Sequence, residues 1–474
     1  MAATHPLGGA DRVCVSREAL TASATARVEG GVLHLTPVTI IGAAGLRDGR
    51  RGRFCAIVTS AAPERHARSA RWRRLKLALV TETFPPEING VAMTFGVIAR
   101  ELGRRGHAVT VYHPRRDDLP GGAPSPDYAE VALSGVPIPG YGLLRLGLPA
   151  GGRLKQRWRG ERPDLVHVAT EGPLGASAIT AARALGVPVT SSFHTNFHAY
   201  TKHYRFGPLR GLVLAWLRHV HNRTRRTFAP TTELCDALAE LGFRDLTLLS
   251  RGVDTWQFHP ARRSEELRQR WGAGPRDPVV IHAGRMAAEK NYPLLARCHA
   301  AMRAANPCCR FVFVGDGPLR RRYQREHPEG IFTGFIPRGE LAQHYASADL
   351  YIHASQTETF GNVLTEALAS GLAVAGFDYA AARQFIRHGE NGLTAPCDRP
   401  EALIEAAVLL ATDDLLRAQV RLAARGAVER QSWDNVIARF EADLAGVVNE
   451  GAAQATCPGQ SPGRGPAARA TFAS

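Results

Sequence analysis

Apolar runs bounded by turn residues divide the central part of the chain into predicted strands and helices. Leu75–Val80 is a short apolar run, and after a turn-rich loop Phe95, Ile98 and Leu102 recur at helical spacing. Ala108–His113 is a second apolar run that follows soon afterwards. Because a strand, a helix and a second strand in this order form the repeating unit of parallel sheets, the pattern predicts the start of a doubly wound sheet.

Further apolar runs continue this alternation along two stretches of the chain. They are Asp164–Val168, Val187–Phe193, Thr227–Ala229 and Thr247–Leu249 in the first stretch, and Val279–His282, Arg310–Val314, Leu350–His353 and Leu372–Ala375 in the second. Runs that are apolar throughout are typical of parallel strands covered on both faces. The sequence therefore predicts an α/β protein with two doubly wound, Rossmann-like domains. Ligands are expected in the cleft at the carboxyl ends of both sheets.

The same pattern places the domain boundaries. We expect a first domain over residues 75–252, a second over 256–425, and a helix over 430–449 that crosses back towards the first. Residues 1–74 lack sustained periodicity, and we expect a disordered extension or a misassigned start. Residues 450–474 are rich in Gly, Ala and Pro, which is typical of disorder.

Composition narrows the class of protein. A chain of 474 residues with 45% hydrophobic and 22% charged residues can bury two cores. The formal net charge of +16 favours polyanions, namely phosphorylated substrates, anionic membrane surfaces or nucleic acid. None of the eight cysteines forms a C-x-x-C pair, which argues against a disulfide framework or a structural zinc site and fits a reducing cytosol. No apolar run of the length that spans a bilayer is found.

Two glutamates mark a candidate ligand site in the second domain. Glu358 and Glu366 bracket Gly361, where one predicted strand has ended and a helix begins. Main-chain amides and the dipole at a helix N-terminus favour an anion such as a diphosphate. A carboxylate accepts two hydrogen bonds from a vicinal diol, so Glu358 can hold a sugar and Glu366 a ribose. The spacing alone also fits two solvated glutamates beside a helix start.

Cations follow the first predicted strand of the second domain. Gly284 lets the backbone turn, and Arg285 and Lys290 can converge on one phosphate group and neutralise it without a metal. A surface pair of cations would give the same pattern. Tight turns after the next two strands, at Gly315 and before Ile336, can bring a ligand close to the backbone.

The order of these motifs resembles family 4 of the retaining glycosyltransferases, which have the two-Rossmann-domain GT-B fold. The motifs are Gly-Arg-x4-Lys, Gly-Asp-Gly-Pro, Gly-Phe-Ile, Ala-Asp-Leu-Tyr-Ile-His-Ala-Ser and Glu-x7-Glu. Two earlier segments, Thr-Glu-Thr-Phe-Pro-Pro-Glu-Ile-Asn-Gly-Val and Ser-Phe-His-Thr-Asn-Phe, are similar to a bacterial branch of that family. The branch contains GDP-mannose-dependent α-mannosyltransferases and sulfoquinovosyl-diacylglycerol synthases. The resemblance covers residues 75–445.

The resemblance implies roles for individual residues of the second domain. Arg285 and Lys290 would bind the donor diphosphate, Glu366 the nucleotide ribose, and Glu358 the 3- and 4-hydroxyls of the transferred hexose. Backbone groups complete the expected donor site, at Gly284, Gly315, Ile336, Phe360, Gly361, Asn362 and Val363.

Two further positions lie in the first domain. By resemblance, Gly90 belongs to the loop that faces the diphosphate and the acceptor, although Asn89-Gly90 stands where many relatives have Gly-Gly. His194, at a predicted strand end, corresponds to the histidine over the donor sugar. A structural histidine is the alternative there. The catalytic set expected from the sequence is thus His194, Arg285, Lys290 and Glu358. No Asp-x-Asp motif stands where a metal-dependent transferase needs one, so we expect neither a metal nor another cofactor.

The acceptor is inferred from charge. Residues 201–228 carry seven Lys or Arg and no acid, interleaved with apolar residues. Such a segment suits an anionic bilayer surface, with Arg218, Arg223, Arg225 and Arg226 as membrane contacts. A core helix with a solvated basic side is the alternative.

The functional prediction is a retaining, metal-independent hexosyltransferase. It would move mannose or glucose from a donor such as GDP-mannose or UDP-glucose to a lipid or glycolipid, at the inner face of the plasma membrane. The rival predictions are a GT-B sugar-nucleotide epimerase and a non-catalytic, glycosyltransferase-like binding protein. A nucleic-acid binder is disfavoured because none of its signatures is found.

Overall fold

The computed structural model describes residues 73–87, 89–115, 125–138, 141–194 and 207–456, and four short strands nearer the amino terminus. Residues 1–73 form one compact unit and residues 74–474 another. In the first unit, Arg12–Val15 pairs antiparallel with Phe54–Ile57, and Ala26–Glu29 pairs with Val32–Leu35. The sequence pattern predicts none of these four-residue strands, because such runs are too short to show periodicity. The rest of the expected extension lies outside the described residues.

The second unit begins with a seven-stranded parallel sheet. Its order is Leu246–Leu248, Arg226–Ala229, Val189–Ser192, Leu165–Val168, Lys76–Val80, Ala108–Pro114 and Ala129–Leu133. Gly135–Ile138 and Tyr141–Gly147 form a separate antiparallel hairpin. Lys76–Val80, an inner strand, is the first of this sheet along the chain, and the later strands are added outward on both sides of it. This is the doubly wound order, so the topology that the apolar runs predict is confirmed.

A six-stranded parallel sheet follows the same plan. Its order is Ile331–Gly334, Arg310–Val314, Val279–Ala283, Leu350–His353, Ala373–Phe377 and Leu393–Ala395. Every residue of the strands Val279–Ala283, Leu350–His353 and Ala373–Phe377 is buried, because helices cover both faces. The protein therefore has two Rossmann-like halves, as the GT-B prediction requires.

Helices connect the strands of both sheets. In the first half they span Gly90–Arg104, Gly151–Gly160, Pro173–Ala184, Gly207–His221 and Thr232–Glu240. In the second half they span Glu265–Arg270, Tyr292–Ala305, Arg320–Glu326, Arg338–Ser347, Asn362–Ala369, Ala380–Phe385, Pro400–Thr412 and Asp414–Ala424. In the part of the chain so described, no helix is long and apolar enough to cross a membrane.

The last helix, Trp433–Thr456, packs on the first sheet. Ile437, Phe440 and Leu444 lie in the same hydrophobic core as Leu77 and Val109. Its start is joined to the link between the halves by a β-bridge from Ser432 to Val253. The helix extends past residue 449, the end predicted from the sequence, and so includes residues 450–456 of the tail that was predicted to be disordered. Alanines at 452, 453 and 455 have high helix propensity, which accounts for the longer helix.

Contacts between the halves fix one side of the cleft. Glu233 of the first half accepts hydrogen bonds from the Ala380 amide at 3.0 Å and from Arg383 at 2.8 Å. The Thr359 hydroxyl donates to the carbonyl of His194 at 3.4 Å. The carboxyl ends of both sheets thus border the same cleft.

Candidate active site

The loop after strand Leu350–His353 carries the acidic part of the site. Gly361 adopts φ +104 at the N-cap of helix Asn362–Ala369, a conformation that L side chains rarely adopt. No described side chain caps this helix start. Its first amides are therefore available to an anionic ligand, at the position where the sequence predicts a diphosphate.

Glu358 and Lys290 form an ion pair in this loop. The Lys290 ammonium donates to Oε1 of Glu358, and both side chains are less than one-fifth exposed. Burial raises the pKa of Glu358, but the Lys290 ammonium and nearby hydrogen bonds outweigh burial, so the pKa lies below its usual value. Glu358 is thus a carboxylate at neutral pH, a form whose oxygens only accept hydrogen bonds.

Two glycine turns hold the cationic side of the site. Gly284, at φ +140, ends its strand directly before Arg285, whose side chain is exposed. A Cβ on Gly315 would lie 2.1 Å from the carbonyl oxygen of Gly284, so this pair of loops can approach only without side chains. Gly315 also donates its amide to Gly334 at 2.8 Å, two residues before the half-buried Ile336. The predicted backbone positions are therefore neighbours along one edge of the sheet.

Glu366 lies on the other side of the helix start. Its side chain is 8% exposed and forms an ion pair with Arg338 at 3.0 Å. Burial raises the pKa of Glu366 to about 7, although Arg338 opposes the shift. Glu366 and Arg338 line a cavity of about 610 Å³ between the halves, together with Thr94 and Gln257. A ribose-sized group fits such a space. The Arg338 contact is not evident from the sequence, because the two residues lie on different helices.

His194 faces the site from the first half. Its ring makes an edge contact with Phe95 at 5.4 Å between centroids, and both ring nitrogens are buried without a hydrogen-bond partner among the described residues. Burial, aided by the nearby Arg251 charge, holds the pKa of His194 well below its usual value. The imidazole is therefore neutral.

Gly90 begins helix Gly90–Arg104 beside Arg251, a residue at the predicted end of the first domain. A Cβ on Gly90 would lie 2.5 Å from Nη1 of Arg251. Asn89 caps this helix by accepting hydrogen bonds from the amides of Val91 at 3.1 Å and Ala92 at 2.9 Å. Asparagine here therefore caps the helix, and the glycine leaves room for the guanidinium. The one signal for Arg251 in the sequence is a cation shortly after a predicted strand end.

The basic residues predicted to contact a membrane lie in different surroundings. Arg218 is exposed and donates to the carbonyl of Leu241 at 3.3 Å, Arg223 is half-buried, and Arg225 is exposed. Arg226 forms ion pairs with Asp443 at 2.7 Å and Glu450 at 3.5 Å. Because these acids already neutralise it, Arg226 is better explained as an anchor for the last helix.

Comparison with known proteins assigns the chain to a family. Residues 88–257 match the profile of Glycosyltransferase Family 4, and residues 277–413 match that of Glycosyl transferases group 1. A GDP-mannose-dependent alpha-mannosyltransferase of Mycobacterium tuberculosis is 35% identical over 380 residues, 78% of this chain and 97% of the relative. The sulfoquinovosyl transferase SQD2 of Arabidopsis thaliana is 29% identical over 76% of this chain and 71% of its own.

Solved structures share the fold at low sequence identity. The Anabaena protein Alr3699/HepE in complex with UDP aligns with a TM-score of 0.63 and 19% identity, over 78% of this chain and 100% of that one. Sucrose-phosphate synthase from Thermosynechococcus elongatus aligns with a TM-score of 0.64 and 16% identity, over 80% and 100%. The two Rossmann-like halves, the order of the motifs and these relatives agree: the chain belongs to family 4 of the glycosyltransferases and has the GT-B fold.

Proposed function

We propose that this glycosyltransferase moves a hexose, mannose or glucose, from a nucleoside-diphosphate sugar to a lipid or glycolipid, with retention of configuration and without a metal. The observation that carries the proposal is the Lys290–Glu358 ion pair beside an uncapped helix N-terminus. One member of the pair suits a phosphate and the other suits sugar hydroxyls. GDP-mannose and UDP-glucose are the proposed donors, since related enzymes are named as GDP-mannose-dependent mannosyltransferases and glucosyldiacylglycerol synthases.

The bound donor would separate this ion pair, with its diphosphate on Lys290 and its hexose on Glu358. Diphosphate oxygens would replace Glu358 on the Lys290 ammonium, assisted by Arg285 and by the amides of residues 360–363. Glu358 would then accept hydrogen bonds from the 3- and 4-hydroxyls of the hexose. Glu366 would hold the ribose, and the neutral imidazole of His194 would lie over the sugar. Each charged group thus has a partner of opposite charge or a donor hydroxyl when the substrate is bound.

Transfer would proceed on one face of the sugar. The bond from the anomeric carbon to the phosphate oxygen breaks as the acceptor oxygen attacks from the same side. The acceptor proton passes to the departing phosphate. Arg285 and Lys290 stabilise the growing negative charge, so no protein nucleophile is required.

Exposed apolar side chains support a lipid acceptor. On helix Gly207–His221, Leu212 is 70% exposed and Trp216 is 50% exposed, and residues four apart lie on the same face of a helix. Arg218 and His219 are exposed within the same turn. An apolar stripe beside cationic groups suits the interface of an anionic bilayer, here proposed to be the inner face of the plasma membrane.

A transfer assay tests the function directly. The protein is incubated with radiolabelled GDP-mannose or UDP-glucose and vesicles of bacterial lipid extract, and labelled lipid is measured by thin-layer chromatography. We expect labelled glycolipid from one of the donors, an α-anomeric product by NMR, and an unchanged rate in EDTA. An epimerase would instead convert the nucleotide sugar without forming a glycoside. A binding protein would do neither.

A further inference from the structure

Arg251 is a buried cation at the first-half wall of the cleft. It follows strand Leu246–Leu248 and is 7% exposed. Its Nη1 atom lies so close to Gly90 that a Cβ there would be 2.5 Å away. The guanidinium therefore sits at the start of helix Gly90–Arg104, whose dipole favours an anion at this end.

No described carboxylate forms an ion pair with Arg251, and its Nε atom is buried without a hydrogen-bond partner. Other buried arginines of this protein are paired: Arg268, 1% exposed, donates to Asp349 at 2.8 Å. Glu358 acts on Arg251 electrostatically, but its carboxylate is bound to Lys290. Burial lowers the pKa of Arg251 to about 10, so the group is still charged at neutral pH. A buried charge without a counter-ion is destabilising, and such groups mark functional sites.

The backbone of Arg251 is held in place by the segment that crosses between the halves. The Gln431 side chain donates to the Arg251 carbonyl at 3.2 Å, and the Gln431 carbonyl accepts from the Val253 amide at 2.9 Å. Gly252 packs so closely on Trp433 that a Cβ would lie 2.5 Å from the indole ring. The backbone that carries the guanidinium is thus fixed before binding. Little conformational entropy is therefore lost when an anion binds to it.

We propose that Arg251 is a third anion-binding cation of this site and receives a phosphate or carboxylate oxygen of a substrate in the space between Gly90 and Glu358. The inference rests on the proposed function and deepens it. The oxygen belongs either to the donor diphosphate or to an acidic group on the acceptor, and the two sources share the same chemistry. Arg251 would then join Arg285 and Lys290, which reach the site from the second half.

Substitution of Arg251 tests whether the donor supplies the oxygen that this guanidinium binds. GDP and UDP are titrated calorimetrically into the wild type, Arg251→Met and Arg251→Lys. We consider whichever of GDP and UDP binds the wild type more tightly. If the donor supplies the oxygen, Arg251→Met raises the Kd of that nucleotide at least tenfold, and Arg251→Lys raises it less because the charge is kept.

A melting experiment separates binding from a structural role. Without ligand, Arg251→Met should melt at the same temperature as the wild type or higher, since an unpaired buried charge is removed. Arg417→Met is the matched control, because that arginine is nearly buried but donates to the Leu410 carbonyl at 2.9 Å and to Asp414. The control should melt lower and keep its full stabilisation by nucleotide. If Arg251→Met melts several degrees lower and binds both nucleotide and the acidic lipid described below normally, Arg251 is structural and the proposal is overturned.

A second experiment tests whether the acceptor supplies the oxygen that Arg251 binds. Short-chain dihexanoyl phosphatidylglycerol, with its acidic headgroup, is added at saturating nucleotide, with neutral dihexanoylglycerol for comparison. If only the acidic lipid raises the melting temperature of the wild type and Arg251→Met abolishes this rise, the acceptor supplies the oxygen. If the substitution alters neither nucleotide nor acidic-lipid binding, the proposal fails. The proposed function fails separately, when the wild type transfers no hexose and binds no nucleotide.

Discussion

The Lys290 ammonium hydrogen-bonds the Glu358 carboxylate across two loops that are 68 residues apart in the chain. In the free protein, the cation assigned to the diphosphate and the acid assigned to the hexose therefore neutralise each other. Neither charge is left buried alone before the donor arrives. The pair also explains how two opposite charges can lie at less than one-fifth exposure.

Lys290 should matter more for the rate than for donor binding. Because negative charge on the diphosphate grows as the glycosidic bond breaks, Lys290→Met should lower kcat about 100-fold to 1000-fold. The Kd of the nucleotide sugar should rise less than tenfold. Turnover assays beside calorimetry measure both quantities, with the half-buried Lys155→Met, on another helix, as a control for the loss of a lysine. Equal losses of rate and affinity would mean that Lys290 acts only in ground-state binding.

Nucleotide affinity should depend on pH through Glu366. Burial raises the pKa of this carboxyl to about 7, and only the ionised form is a full acceptor for two ribose hydroxyls. Affinity should therefore increase as pH rises from 6 to 8. At pH 6 about one-tenth of the carboxyl is ionised, so the Kd should be roughly tenfold above its plateau. Calorimetry of GDP or UDP across this range checks the trend.

Glu366→Gln is the control for that pH profile. The variant should show only the pH dependence that comes from the phosphates of the ligand, and its Kd should be nearly the same at pH 7 and pH 8. A wild-type profile identical to that of the variant would exclude titration of Glu366.

Asp349 should be essential for the stability of the second half. It is 5% exposed and binds Arg268 at 2.8 Å, Arg421 at 2.7 Å and Arg263 at 3.3 Å. Asp349→Asn removes the charge that neutralises this cluster, so the free energy of unfolding should fall by about 3 kcal/mol or more. Urea denaturation measures the change. Glu326→Gln, which breaks the exposed Arg322 contact, should shift the curve little; a similar shift in both variants would contradict this account.

The central strands and the motif positions were predictable from the sequence. Buried parallel strands such as Leu350–His353 are continuous apolar runs, and residues such as Lys290 and Glu358 lie in loops after strand ends. Strand Ala129–Leu133 was missed because it lies at the sheet edge, where most of its residues are exposed. Leu393–Ala395 was missed because three residues show no periodicity.

The pairings within the site were not predictable. Lys290 with Glu358, and Arg338 with Glu366, are contacts between separate elements, and only the packing of those elements brings them together. The importance of Arg251 likewise depends on its burial against Gly90, which no local pattern indicates. Sequence reasoning therefore locates the loops of the site, and the fold determines which side chains meet there.

Membrane binding should require the exposed apolar stripe on helix Gly207–His221. A Leu212→Ser/Trp216→Ser variant should lose most of its binding to anionic vesicles, because its apolar contact with the bilayer is removed. Leu415→Ser/Leu422→Ser is a matched control, since those leucines are 84% and 87% exposed on a helix of the second half. Co-sedimentation with phosphatidylglycerol vesicles measures both. Equal binding by the stripe variant and the wild type would refute the proposed contact, as would equal loss in the control.

The most direct test of the account is calorimetric titration of GDP and UDP into the Glu358→Gln and Glu366→Ala variants, beside their transfer rates. Neither nucleotide contains a hexose, so Glu358→Gln should keep or improve nucleotide affinity, because Lys290 is released, while transfer collapses. Glu366→Ala should weaken nucleotide binding by about 1.5–3 kcal/mol, the usual contribution of a hydrogen bond to a charged group. If Glu358→Gln abolishes nucleotide binding and Glu366→Ala leaves it intact, the donor is not bound as proposed.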